Sequence, residues 1–152
     1  MALLNDIRTA QRVLRNILRS RANRRAVAKQ MVRYRPPAEG TIKIAVYFAD
    51  TQVNLYQIRQ WYAPLAEIAQ TWPVAIISRS PSSVLALWDE APVPVVYVRR
   101  VAELEEFVAS QDLRIVFYVN QNAKNFQMFR YGRTWHVFIN HGESDKMYMT
   151  TN

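Results

Sequence analysis

Leu3, Ile7, Ala10, Leu14 and Ile17 recur at spacings of three and four, and Leu4 and Leu18 widen the stripe. That period lays them along one face of a helix. Arg8, Arg12, Arg15 and Arg19 repeat at the same spacings on another face. The pattern predicts an amphipathic basic helix from about residue 3 to about residue 33. Pro36-Pro37 stops it, and Glu39-Gly40 completes a short linker.

From Thr41 on, strand-like and helix-like segments alternate. The stretches 42–48 (IKIAVYF), 73–78 (PVAIIS), 94–98 (PVVYV), 114–119 (RIVFYV) and 135–139 (WHVFI) read as strands. Between them, residues 52–70 carry Leu55, Ile58, Tyr62, Leu65 and Ala69 at helical spacing. Ser80-Pro81 reads as an N-cap and first-turn proline opening a short helix through Trp88. Residues 101–110 form a helix with Val101, Leu104 and Val108 inward. Its Glu103, Glu105 and Glu106 lie in the first turns, where the helix dipole favours acids. Residues 122–131 complete the series as a short helix.

The strands are apolar almost throughout rather than alternating, which belongs to parallel strands covered on both faces. Five such repeats predict an α/β fold, a Rossmann-like doubly wound parallel sheet of about five strands preceded by the basic helix. The expected organisation is an arm over 1–35, a linker over 36–40 and an α/β domain over 41–152. Neither G-x-G-x-x-G nor G-x-x-x-x-G-K-[ST] occurs; the first strand runs into FADTQVN.

Charge separates the arm from the domain. The net charge is +8. Residues 1–35 hold ten basic residues and one acid, Asp6, for +9; the rest of the chain sums to −1. Four readings of the arm stay open: a helix docked on its own domain, a helix on an anionic membrane surface with its arginines on phosphates, a nucleic-acid arm, and a transit peptide. Tyr34 is its only aromatic, which leaves little to stack on bases, and its serines are few for a transit peptide. No apolar run approaches the roughly 20 residues that span a bilayer. The chain has no cysteine, so disulfide, thiolate and cysteine–zinc chemistry are excluded.

In open α/β sheets ligands bind beyond the carboxyl ends of the strands. Those ends carry Asp50, Ser78-Arg79, Arg99-Arg100, Asn120 and Asn140-His141. His141 is expected to follow a buried strand directly, with Gly142 allowing close backbone approach. Glu143, Ser144, Asp145 and Lys146 would open a further helix, whose free N–H groups favour anions. A histidine so placed suits proton abstraction beside a phosphate, and it equally suits an ordinary turn. His136, inside the strand, reads as structural. Lys124 and Arg130 read as helix charges within reach of an anion. Asn120, Asn122 and Asn125 read as caps of the following helix, with Asn120 also a candidate substrate contact on the rim.

The segment 118–146 (YVNQNAKNFQMFRYGRTWHVFINHGESDK) resembles the CDP-glycerol glycerophosphotransferase family of teichoic-acid-type polymerases and primases. NFQMFRYG and the strand ending in HGESDK carry the likeness, and a weaker pattern reaches back to Thr41. The resemblance implies the N-terminal domain of a GT-B-like enzyme. Such an enzyme transfers glycerol phosphate from CDP-glycerol to a hydroxyl of a polyol-phosphate or lipid-linked acceptor at the cytoplasmic face of the membrane. It implies His141 as general base; Gly142, Ser144, Asp145, Lys146 and Asn120 are candidate substrate contacts by their place on the rim, and Arg8, Arg12, Arg15 and Arg19 the candidate membrane contact by the helix pattern, since the likeness does not reach the arm. No cofactor is expected, and no residue is assigned as a metal ligand. Where the better-known polymerases have His-Gly-Thr, this chain has His141-Gly142-Glu143. The motif falls just before Asn152, so the chain is expected to be the acceptor-side half, inactive without a donor-binding domain. The alternative is a non-catalytic module that uses its arginine-rich arm on membrane, polyanion or nucleic acid.

Overall fold

The structure, a computed structural model, describes residues 2–139, with side chains from residue 7 on. The helix α1 runs Ala2–Met31. The strands β1 (Ile44–Phe48), β2 (Val74–Ser78), β3 (Val95–Tyr97), β4 (Ile115–Tyr118) and β5 (Trp135–Phe138) form one sheet in the order β3-β2-β1-β4-β5. All four pairings are parallel. This is the order of the Rossmann-like doubly wound sheet, with the switch point between β1 and β4.

All five residues of β1 and of β2 are buried, because helices cover both faces of the sheet. One face carries α2 (Tyr56–Arg59), α3 (Tyr62–Ala69) and α4 (Pro81–Glu90), where Val46, Phe48 and Ile76 meet Leu55, Ile58, Leu65, Val84 and Leu87. The other carries α5 (Val101–Ser110) and α6 (Phe126–Phe129), where Tyr47, Ile77 and Tyr118 meet Leu104, Phe107 and Met128. Burying a side chain the size of Phe48 contributes about 1.5–3 kcal/mol. Glu103 caps α5 by reaching back: its Oε2 accepts from the backbone N–H groups of Arg99 (2.7 Å) and Arg100 (3.1 Å).

α1 joins the first face. Val27 is part of the core, and Tyr34, just past the helix, packs its ring on Trp88 of α4 at 5.2 Å. Upstream, Ile7, Val13, Leu14, Ile17 and Leu18 are exposed. Among the described residues, the arm's core contacts with its own domain are made by its C-terminal part.

Three local expectations are corrected. Residues 52–70 are not one helix but a 3-10 turn (Gln52–Asn54), α2 and α3. Pro64 has no N–H to give Gln60, and its ring clashes with the carbonyl four residues back. Residues 122–131 likewise divide into a 3-10 turn (Ala123–Asn125) and α6. The third correction concerns β5: it is an edge strand, and Trp135, Val137 and Phe138 are exposed. An edge strand has one neighbour, and the helical layers cover the sheet's centre first. The strand leading to His141 is therefore not buried.

Candidate functional site

The carboxyl ends of the strands form a polar rim, and its residues are tied to one another. The Asp50 carboxylate, after β1, accepts from the Thr51 N–H (2.7 Å), from Asn54 Nδ2 (2.8 Å) and from Asn120 Nδ2 (3.2 Å). Asn120, after β4, also donates to Oε1 of buried Gln57 at 2.6 Å. Its carbonyl accepts from Asn125 Nδ2 at 2.8 Å, while Asn125 Oδ1 is buried without a partner. The switch-point crevice between β1 and β4 is thus bridged by side chains. Asn120 and Asn125 belong to this bridge and do not cap through their side chains; Asn122 does, accepting from the Lys124 N–H at 2.9 Å.

Arg79, after β2, crosses the same rim. Its guanidinium donates to Tyr47 Oη (3.1 Å), to Gln127 Oε1 and to the Arg99 carbonyl (2.8 Å). All three acceptors are neutral, Nε is buried without a partner, and no carboxylate among the described residues pairs with it. A half-buried cation facing only neutral dipoles keeps its field for an anion at the rim. Burial raises the pKa of the Tyr47 phenol; the Arg79 hydrogen bond and charge pull the other way.

Ser80 stands at the N-cap of α4 with Pro81 as first residue, as its sequence position predicts, but its hydroxyl pairs with Ser82 Oγ at 3.0 Å instead of capping. His136 is structural. Its Nδ1 lies 2.8 Å from Tyr118 Oη and its Nε2 3.2 Å from the Tyr131 carbonyl. Arg130 is held by Glu105 at 2.5 Å, and Lys124 is exposed.

Arg8, Arg12 and Arg15 are exposed on α1 beside the apolar stripe. Arg19 is exposed too, and with Asn16, Ser20 and Asn23 it lines a cavity of about 450 Å³ shared with Thr51, Gln52, Ser80 and Ser82. A second cavity, about 490 Å³, lies at the opposite edge of the sheet against Asp112, Arg114 and Thr134. There Asp112 is paired with Lys43 (2.6 Å) and Arg114 (3.0 Å), an arrangement that ties strand starts together.

His141, Gly142, Ser144, Asp145 and Lys146 lie outside the described residues. Among the described residues no three His, Asp or Glu side chains group to hold a metal, and no helix is long and apolar enough to cross a membrane. Sequence reasoning found the rim but missed Gln57 and the Arg19 cavity. Gln57 sits beside Ile58 in a helical period and carries no signal of its own. The cavity joins residues about 30–60 positions apart in the chain.

Fold and rim together define a Rossmann-like α/β domain with a polar, cation-bearing carboxyl edge. No protein-family description, curated protein or solved structure matches the chain.

Proposed function

We propose that this is the acceptor-side domain of a GT-B-like glycerophosphotransferase, working at the cytoplasmic face of a membrane. His141 takes the proton from a hydroxyl of a membrane-linked acceptor. The freed oxygen attacks the glycerol-bearing phosphorus of CDP-glycerol, the bond from that phosphorus to the bridging oxygen breaks, and CMP leaves with the electron pair. Gly142, Ser144, Asp145 and Lys146 receive the transferring phosphate, with Asn120 fixing the rim beside them. A second domain holds the cytidine nucleotide. Arg8, Arg12 and Arg15 bind anionic lipid.

The observation that carries this reading is a register. β5 runs parallel to β4 with Phe138 opposite Tyr118, and the Ile139 N–H donates to the Tyr118 carbonyl at 3.0 Å. The chain therefore leaves β5 on the rim that holds Asp50 and Asn120, and His141 is the second residue after Ile139.

The test is CMP release from CDP-glycerol by the complete product of the reading frame, on anionic vesicles carrying a polyol-phosphate acceptor. His141→Ala should slow it about 10²–10⁴-fold. An unchanged rate removes His141 from the chemistry. Vesicle binding with no CMP release favours the second reading, a non-catalytic module on anionic surfaces. That reading has its own support in the Asp50–Asn120–Gln57 bridge, which fills the crevice where a substrate would sit.

A further inference from the structure

The cavity between α1 and the ends of β1 and β2 has no part in the chemistry above. Its volume, about 450 Å³, lies within the roughly 300–1,000 Å³ of small-ligand sites. It lies at the carboxyl edge, where α/β sheets take ligands, unlike the cavity against Asp112 and Arg114 at the opposite edge. Its lining contains one cation, Arg19, and no acid. Arg19 forms no ion pair among the described residues. Apart from Val53 and Pro81 the remaining wall is hydroxyl or amide: Ser20 and Asn23 from α1, Thr51, Ser80 and Ser82 from the domain. Ser80 and Ser82 hydroxyls sit 3.0 Å apart, with capacity left for a further partner each.

One guanidinium among hydroxyls and amides matches one phosphate among hydroxyls. Arginine takes phosphate oxygens with paired N–H groups, and serine, threonine and asparagine both donate to and accept from polyol hydroxyls. We infer that this cavity holds a glycerophosphate unit of the acceptor, with its phosphate on Arg19 and its hydroxyls on Thr51, Ser80, Ser82 and Asn23. The inference rests on the proposed reading that the acceptor is a polyol phosphate. It moves Arg19 from the membrane-facing arginines to a substrate subsite. A glycerophosphate can come from the acceptor's own polyol-phosphate chain or from a phosphatidylglycerol headgroup; the subsite is assigned to the acceptor chain.

The test is an amide NMR titration of the 152-residue chain with glycerol 3-phosphate, glycerol and inorganic phosphate, and separately with phosphatidylglycerol vesicles. Glycerol 3-phosphate should shift Thr51, Ser80, Ser82 and Asn23 saturably and more tightly than phosphate or glycerol alone. Arg19→Gln should weaken it about tenfold, the scale of one charged hydrogen-bonding partner. Arg33→Gln makes the same charge change on an exposed residue outside the cavity and should leave binding unchanged. Equal weakening by both variants, or shifts confined to the Asp50–Asn120 rim, overturns the subsite. Response to vesicles but not to soluble glycerol 3-phosphate assigns the cavity to a lipid headgroup and overturns the acceptor-chain assignment. CMP release separates this from the functional proposal. Turnover with an acceptor KM untouched by Arg19→Gln sinks the subsite alone, and tight Arg19-dependent binding without turnover sinks the transferase alone.

Discussion

Asn120 Nδ2 and Gln57 Oε1 lie 2.6 Å apart, and both side chains are buried, 63 positions apart in sequence. This bond, with the one from Asn120 to Asp50, ties the end of β4 to the turn and helix that follow β1. It holds the two lips of the switch point at a fixed separation.

Asn120→Ala should cost about 1–3 kcal/mol, because Gln57 keeps a buried carbonyl with no donor. Asn120→Asp should cost more, since it sets a second carboxylate against Asp50. Urea unfolding at neutral pH reads both; equal, negligible losses would show that the bridge contributes nothing to the domain.

Glu90 closes α4 onto α2. Its two oxygens accept from Arg59 at 2.9 and 3.0 Å, and Tyr62 Oη donates at 2.9 Å. Burial opposes ionisation of Glu90, but these bonds outweigh it and hold the carboxyl below its ordinary 4.5. A depressed carboxyl stabilises above its unfolded value and loses that contribution as pH falls through its folded value. Glu90→Gln should therefore cost about 0.5–1 kcal/mol at pH near 7, the scale for a largely exposed pair. The gap from the parent protein should shrink below pH 4.5. Unfolding midpoints at neutral and acid pH check it.

Tyr34 buries its hydroxyl without a partner while its ring packs on Trp88. Burial pushes the phenol up to about 12 from 10.0. The fold favours the protonated form, so that contribution is complete below pH 10.0 and is lost as pH rises towards 12. Tyr34→Phe should be neutral or stabilising at neutral pH, by up to about 1–3 kcal/mol, and should flatten the alkaline limb of stability. Thermal melts across that range test it; a clear loss at neutral pH would contradict the orphaned hydroxyl.

Arg8, Arg12 and Arg15 flank exposed Ile7, Leu14 and Leu18. Each cation near an anionic surface contributes about 1 kcal/mol. The triple change to glutamine should weaken binding to anionic vesicles about 100-fold, and added salt should weaken the parent similarly. Co-sedimentation with anionic and neutral vesicles measures it; unchanged binding would assign the stripe to another partner.

Much of the fold was legible along the chain. The periods of Leu55, Ile58 and Leu65, of Leu104 and Val108, and the unbroken runs IAVYF and VAIIS each mark an element, because helix and strand impose their repeat on neighbouring residues. The break before Pro64 was not legible in that period, because the apolar spacing of Leu55, Ile58, Tyr62 and Leu65 runs on through it. The rim was readable as strand ends. Its wiring was not: nothing local sets Gln57 towards Asn120 rather than towards solvent.

The repeat along the chain marked five strands, helical segments between them, a parallel sheet and a basic amphipathic helix in front. Packing between distant segments made β5 an exposed edge, buried Val27 while leaving Leu14 exposed on the same helix, and put Arg19 on the wall of a cavity. The reason is physical. Periodicity is a local property that fixes which side chains share a face. What covers that face depends on contacts between segments far apart in the chain, and those exist only once the sheet has its order.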